Sequence, residues 1–308
     1  MNLPERVELI AGGSTVIIDG GEGCSPDDDC LVLGADGIEG WLDMPDEKTT
    51  VSERGQGDGA HDVADVLYAI RVLTIHFTVN AHDRQGIVSL LGRVRRMCAH
   101  REVTVRVLDG GLDCTIKGRA VLASSSQYGK DGWLEDNTLT VSCERPEFLA
   151  YSPHNVQIRP CGGGLPSGGL AGGGLSYGTS GKGLAYPLDY GLKPTSGSVD
   201  MTGSNVAVLE NHGTSRAYPV FTVHGSFPDG VSLVFNGSDS TLSCTQPVEN
   251  IPLVLDCRSR TATMGGLDVS RTLTSRGFPV VPADGTVNIA LQATGTGWVD
   301  CDVYDTFM

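Results

Sequence analysis

The stretch from Cys161 to Gly183, CGGGLPSGGLAGGGLSYGTSGKG, constrains this chain more than any other. Glycine loses the most backbone entropy on folding and brings no side chain to pack, so a cluster this dense does not form the middle of a core. It reads as a hinge or surface insertion, continued by the aromatic-proline segment Leu184 to Gly191 (LAYPLDYG). Alternating apolar runs lie on both sides of it, which divides the chain into two separately packed β-rich units. At 308 residues the chain is long enough for two cores. The expected division is 1–150, a Gly-rich linker or insertion over 151–189, and 190–308. A flexible tether and a packed loop lying close to a neighbouring subunit are both open readings of the run.

In the first unit, Leu73, Ile75, Phe77 and Val79 alternate with Thr74, His76 and Thr78, the pattern of a half-buried strand. Asn80 then offers an N-cap with Asp83 three residues on. Ile87, Leu90, Leu91, Val94, Met97 and Cys98 follow at helical spacing and predict an amphipathic helix. Val103, Val105 and Val107, the turn Asp109-Gly110-Gly111, and Cys114, Ile116, Ala120 and Leu122 predict a hairpin. Leu139, Val141 and Cys143 give one more strand before Pro146 interrupts it. The second unit reads as short strands without a helix: Val206 and Val208; Phe221 and Val223; Val231, Leu233 and Phe235; Ile251, Leu253, Leu255 and Cys257; Val287, Ile289 and Leu291; Val299, Cys301 and Val303. Turn residues separate them at Pro228-Asp229-Gly230, Asn236-Gly237 and Asp284-Gly285, as in a β-sandwich.

A formal charge of −15 argues against a chain whose main task is to neutralise nucleic-acid phosphates. No run of about 18 apolar residues appears, so no membrane span is expected. The opening MNLPERVELIAGG has acidic residues and a proline where a secretory signal needs a basic head, so export by that route is not predicted. None of the nine cysteines sits in a CxxC pair. Cys114, Cys143, Cys257 and Cys301 fall on the apolar parity of strands, as buried free thiols do. Cys24 and Cys30 flank the loop EGCSPDDDC; free thiols are favoured there over a disulfide because assembly in a reducing cytoplasm is expected.

Chemistry finds little support. Asp27, Asp28 and Asp29 lack the alternating ligands and distal Glu of a calcium loop and read as solvated. The seven histidines show no HExxH spacing. His76 is expected to face water and His224 to end a strand. No GxSxG elbow locates a nucleophile. No catalytic residue, metal site or cofactor is predicted. Two features suit contacts instead. The polar segment Glu47 to Ala60, which includes Arg54 and Asp58, reads as a protruding arm that reaches a neighbour or as a solvated surface loop. Arg84, Arg93, Arg95, Arg96 and Arg101 concentrate positive charge in and around the helix, read as a solvated face or as an interface for an acidic partner. Arg84, Arg93, Arg96, Arg54 and Asp58 are the candidate subunit or partner contacts.

Taken in order, the Gly-rich lead into GLAYPLDYG (Gly183 to Gly191), ENHGTSRAYPVFTVHG (Glu210 to Gly225), LVLDCRSRTATMGG (Leu253 to Gly266), FPVVPADGTVNIAL (Phe278 to Leu291) and the closing VDCDVYDTFM (Val299 to Met308) resemble the distal tail proteins of long-tailed bacteriophages. The first half, with its strand, helix and hairpin, is similar to the tail-tube-like domain that begins such proteins. The resemblance implies a mainly β protein with one α-helix: an N-terminal tail-tube-like β-sandwich or barrel plus helix, and a C-terminal galectin-like antiparallel β-sandwich. It also implies a non-enzymatic virion protein at the distal end of the tail, assembled in the host cytoplasm. Such a protein forms a ring, commonly a homohexamer, that joins the tail tube to the tail-tip or baseplate proteins. The partners expected are copies of itself, the tail tube protein and tail-tip proteins, with a host glycan as a further candidate and no specific nucleic acid or membrane. Glu22 to Cys30 and the length of the Gly-rich run match no feature of that family. Two alternatives stay open: a carbohydrate-binding host-adhesion module, with Trp298, Tyr186, Tyr190, Tyr218 and Tyr304 as stacking platforms, and a cell-wall hydrolase, which needs paired carboxylates or a metal site that no spacing here supplies.

Overall fold

The computed structural model describes residues 4–20, 24, 28–48, 53–56, 58, 67–125, 133–160, 205–236 and 240–308. The Gly-rich run, Tyr186, Tyr190 and Asp27 lie outside them. In chain order the elements begin with β1 (Arg6–Ala11), β2 (Ser14–Asp19), β3 (Cys30–Glu39), β4 (Arg71–Asn80), α1 (Arg84–Cys98), β5 (Val103–Asp109), β6 (Leu112–Ala123), β7 (Trp133–Cys143) and β8 (Phe148–Ala150). They continue with β9 (His154–Ile158), β10 (Val206–Asn211), β11 (Val220–Ser226), β12 (Val231–Asn236), β13 (Ser240–Cys244), β14 (Leu253–Asp256) and β15 (Thr261–Met264). They end with β16 (Leu267–Asp268), β17 (Leu273–Arg276), β18 (Gly285–Gln292), β19 (Thr296–Val303) and β20 (Thr306–Phe307). The protein is mainly β, with one α-helix among the described residues.

The chain divides into two compact bodies. The first comprises residues 1–153, 212–216 and 304–308, and the second comprises 154–211 and 217–303.

In the first body the strands follow the order β6-β5-β1-β2-β3-β4-β7, and β7 pairs back onto β6, so the sheet closes into a seven-stranded barrel. Closure removes the open edges that would invite other chains. Every pairing is antiparallel except the short β2–β3 contact at Asp19 and Val32. Period-2 alternation fills the interior: Val7 and Leu9, Val16 and Ile18, Leu73, Ile75, Phe77 and Val79, Val103, Val105 and Val107, and Leu139, Val141 and Cys143 are all buried. The helix lays Ile87, Leu90, Leu91, Val94 and Met97 on this core and touches β1, β2, β4 and β6. The β5–β6 hairpin turns at Gly110 and Gly111, whose φ values of +55° and +91° suit a primed turn.

The helix cap differs from the sequence expectation. Asp83, not Asn80, caps α1, its Oδ1 accepting the Gly86 N–H at 2.7 Å. Asn80 is the last residue of β4, paired with Cys30 on one side and Trp133 on the other, and its amide donates to the Asp28 carbonyl at 3.3 Å. Strand pairing therefore claims Asn80 before the helix can. The same side chain lies 3.9 Å from both Cys24 Sγ and Cys30 Sγ. These two cysteines are joined as a disulfide with Cα atoms 6.2 Å apart, correcting the expectation of free thiols.

The second body is two antiparallel sheets, β10-β18-β12-β13-β17 and β16-β15-β14-β11-β19-β9, sharing one buried core that includes Phe221, Phe227, Leu233, Phe235, Leu255 and Ile289. In β10 the inward parity is opposite to expectation. Ala207 and Leu209 are buried, while Val206 and Val208 are 42% and 41% exposed. Ala207 pairs with Ile289 and Leu209 with Val287, so the register set by β18 overrides the greater hydrophobicity of the valines. Ile251, expected in a strand, is exposed ahead of β14.

Candidate functional site

Two surfaces gather side chains suited to recognition. The first is on the first body. Arg84, Arg93, Arg95 and Arg96 are all exposed on α1, whose first turn carries no acidic residue. Arg95 and Arg96 occupy the last turn, where cations complement the helix dipole. Arg93, Arg96, Met97 and His100 line a cavity of about 400 Å³ together with Ser14, Thr15 and Val16 at the start of β2. The cavity exists because the β1–β2 turn comes close to the helix C-terminus. Gly12 sits there at φ +56°, a conformation that favours glycine, and a Cβ on it would lie 2.5 Å from His100 Cε1 and push the exposed imidazole aside. Two guanidinium groups, an imidazole and two hydroxyl-bearing residues thus converge where a carboxylate-bearing partner could be held.

Of the five residues singled out from the sequence, the structure brings Arg93 and Arg96 together. Arg84 starts the helix more than two turns away. Arg54 and Asp58 are exposed on the segment whose base is closed by the Glu47–Tyr68 bridge and by the Lys48 N–H donating to the Leu67 carbonyl at 2.7 Å. Beside that base, Met44, Ile70 and Val72 stand exposed around a cavity of about 200 Å³. Its wall is organised by buried Arg71, which donates to the carbonyls of Pro146, Gly40 and Asp43 at 2.7, 2.7 and 2.6 Å and stacks 4.4 Å over Phe148. Burial lowers the Arg71 pKa. In the sequence, the Gly12-Gly13 turn is the only local signal for His100, Ser14 and Thr15 as lining of this cavity.

The second surface lies on the outer face of the six-stranded sheet. His224 pairs with Trp298 across β11 and β19, within the strand rather than at its end as expected. Their rings stack at 5.2 Å with planes 19° apart. The Trp298 indole N–H donates to Asp300 Oδ2 at 3.1 Å, and His224 Nε2 lies 3.3 Å from the same oxygen. From β9, Gln157 donates to Asp300 Oδ1 at 3.0 Å, and Asn155 donates to Asp302 Oδ1 at 2.6 Å. Arg159 donates to Gln157 Oε1 at 3.0 Å and stands 5.9 Å from the Trp298 ring. Gly225, at φ +110°, follows His224, and a Cβ there would collide with the Thr296 carbonyl; its absence lets the two strands approach. Tyr218 packs under Arg258 at 5.3 Å, and Tyr304 belongs to the first body.

Among the described residues, no group of three or more His, Cys, Asp or Glu is placed to hold a metal ion. The described cysteines other than Cys24 and Cys30 are free. Burial pushes the Cys114 and Cys143 thiols up to about 11 and raises Cys257 and Cys301 further.

A closed barrel with one helix, followed in the chain by a two-sheet sandwich, gives the chain a two-body, mainly β, phage Dit-like fold. The fold is shared with the SPP1 Dit (gp 19.1) protein, described as a paradigm of the hub adsorption apparatus in phages infecting Gram-positive hosts. The two superpose with a TM-score of 0.57 at 9% identity, over 98% of this chain and 99% of that one. It is shared as well with a chain of the phage P2 baseplate in its activated conformation with Ca, at a TM-score of 0.55 and 8% identity, over 97% of both chains. The same baseplate with Sr gives a TM-score of 0.54 at 9% identity, over 96% of this chain and 97% of that one. No protein-family model and no curated protein sequence matches the chain.

Proposed function

We propose that the chain is a non-enzymatic structural component of a phage tail tip, a distal tail protein that closes into a ring with copies of itself and joins the tail tube to the baseplate. The observation that carries this reading is the likeness of both bodies together, end to end, to a hub protein and to baseplate chains. A shared fold at this identity leaves function to be argued from surfaces, and the surfaces suit assembly. The first body spends its sheet on closing a barrel, and its helix turns an arginine-rich face outward from a chain with a net charge of −15. That asymmetry favours a partner, or a second copy, that brings carboxylates to Arg93 and Arg96. The segment carrying Arg54 and Asp58 supplies a second contact, with exposed Met44, Ile70 and Val72 at its base. In the second body the outer strands β9, β10, β16 and β17 end their sheets, and a neighbour covering them protects those edges.

The test is the oligomeric mass of the purified protein in solution together with negative-stain images. An annular particle of a small whole number of chains is expected, commonly six. A monomer at all concentrations, with no annulus even in the presence of tail-tube or tail-tip partners, overturns the proposal.

A further inference from the structure

We propose that Cys24 and Cys30 form a redox clasp, a reversible disulfide that in its oxidised state fixes Asp28 and Asp29 against the junction of β4 and α1 and in its reduced state releases them. This goes beyond the assembly reading and does not depend on it, since every residue involved belongs to the first body.

Cys30 is fixed from one side by strand pairing, opposite Asn80 at the end of β4. Its disulfide to Cys24 closes the chain over a separation of six residues, and Asp28 and Asp29 lie inside that closure. Both dock on the junction. The Asn80 amide donates to the Asp28 carbonyl at 3.3 Å, and the His82 N–H donates to Asp29 Oδ1 at 2.9 Å. Asp29 Oδ2 takes the space of a side chain on Gly86, where a Cβ would lie 2.7 Å from that oxygen and 2.9 Å from Ala81 Cβ. Glycine is unfavourable inside a helix. Here it makes room for a carboxylate beside the first turn of α1, which carries no acidic residue of its own. Asp28 and Asp29 are exposed, so holding them in place costs chain entropy, and closing the loop covalently lowers that cost.

Cys24 and Cys30 are half-buried, within reach of a small thiol, and accessible disulfides are the labile ones. The thiols of Cys114, Cys143, Cys244, Cys257 and Cys301 are buried and take no part in the exchange. A low-molecular-weight disulfide such as oxidised glutathione serves as oxidant. The thiolate of one cysteine attacks its sulfur–sulfur bond and expels one glutathione thiolate. The second cysteine then attacks the mixed disulfide, forming the Cys24–Cys30 bond and expelling the other. Two electrons and two protons pass from the protein to two molecules of reduced glutathione, and excess reduced glutathione runs the same steps backwards.

The experiment equilibrates the full-length protein across a series of reduced-to-oxidised glutathione ratios. Acid quenching, alkylation and peptide mass then give the state of Cys24 and Cys30, and hydrogen exchange is followed at the His82 amide. The pair is expected to convert reversibly between disulfide and dithiol while Cys143 and Cys301 stay unmodified in the folded protein. Reduction is expected to speed exchange at His82 at least about tenfold. Asp29→Ala is expected to keep the disulfide but to exchange fast at every ratio, because the carboxylate that the clasp positions is gone. Cys24→Ser is expected to match the reduced parent at every ratio, and the parent series alone decides the matter if that variant fails to fold. A disulfide that resists every ratio, a pair that stays reduced or keeps glutathione attached, or conversion that leaves His82 exchange unchanged overturns the proposal.

Discussion

Arg106 clasps Asp113 through two parallel hydrogen bonds, Nε to Oδ1 and Nη2 to Oδ2, each 2.7 Å long. Nη1 reaches Glu8 Oε2 at 3.1 Å, and the guanidinium lies 3.6 Å over the Tyr151 ring. One side chain thus ties β1, β5, β6 and the segment after β8 together on the barrel's outer surface. The hydrogen bonding with Asp113 raises the Arg106 pKa, against the opposing effect of burial. Arg106→Ala is expected to cost about 2 kcal/mol, because it removes the bidentate bond to Asp113 and leaves partly buried Glu8 only the longer contact with Arg6 at 3.8 Å. Arg106→Lys recovers only part of this, since an ammonium cannot reproduce the fork. Urea unfolding of the two variants against the parent measures both values.

In β10, Leu209→Ala is expected to destabilise the second body by about 2–4 kcal/mol, while Val208→Ala changes stability by less than about 1 kcal/mol. Leu209 is fully buried and Val208 is 41% exposed. Denaturant midpoints of the two variants decide the register directly, and equal losses would mean that the strand is not held in this parity.

β10 also shows where the sequence could be read and where it could not. Strands with one strong apolar parity, such as Leu73 to Val79 and Val299 to Val303, carry their inward faces in the sequence, and the structure places them as expected. VAVLEN carries apolar residues on both parities, and only pairing with β18 chooses between them. The strands β1 and β2 alternate around Gly12-Gly13, so their pattern is also carried by the sequence. β9 falls in the segment assigned to the linker, since HNVQI has only two apolar positions, Val156 and Ile158, and gains its place by pairing with β19 across more than 140 residues. That pairing also assembles the Asp300 group from β9, β11 and β19. Its residue types are ordinary for a solvated strand face, so no local motif announces it. The arginines of α1 were legible as a cluster, whereas their convergence with Ser14, Thr15 and His100 depends on the tertiary approach of the β1–β2 turn.

The buried thiols give the protein an alkaline weakness. Desolvation moves Cys114 and Cys143 from an ordinary 9.0 up to about 11. In the unfolded chain these thiols lose their protons near 9.0, while the folded state holds them to about 11. Between those values the unfolded state binds fewer protons and stability falls as pH rises; below 9.0 neither thiol contributes a slope. Denaturation under reducing conditions at pH 8 and pH 10 is expected to show a steeper loss for the parent than for Cys143→Ala. Equal slopes would mean that the folded thiol ionises at its ordinary value.

Asp83 sets the start of α1, and Asp83→Ala is expected to cost about 1 kcal/mol, while Asp83→Asn, which keeps an acceptor for the Gly86 N–H, costs a few tenths. If Asn80 were the cap instead, Asp83→Ala would be almost neutral. Hydrogen exchange at the first-turn amides of α1 reports the fraying that accompanies loss of the cap.

The double reversal Arg93→Glu with Arg96→Glu tests whether the helix face is an interface. Both side chains are exposed and line the cavity with His100, so the reversal is expected to leave the barrel's unfolding transition near that of the parent. It turns a cationic face acidic on a chain already at −15, so an acidic partner or second copy is repelled where it was attracted. Loss of the annular particle, with the monomer still folded by circular dichroism, is the expected result. Arg84→Glu, more than two helical turns away, is expected to weaken assembly less. Adding salt should loosen the parent ring and, in the reversed variant, weaken the repulsion and favour assembly, because ions screen attraction in the one and repulsion in the other. Assembly that proceeds unchanged in the double variant removes these arginines from the interface, and the ring must then be sought along the segment carrying Arg54 and Asp58.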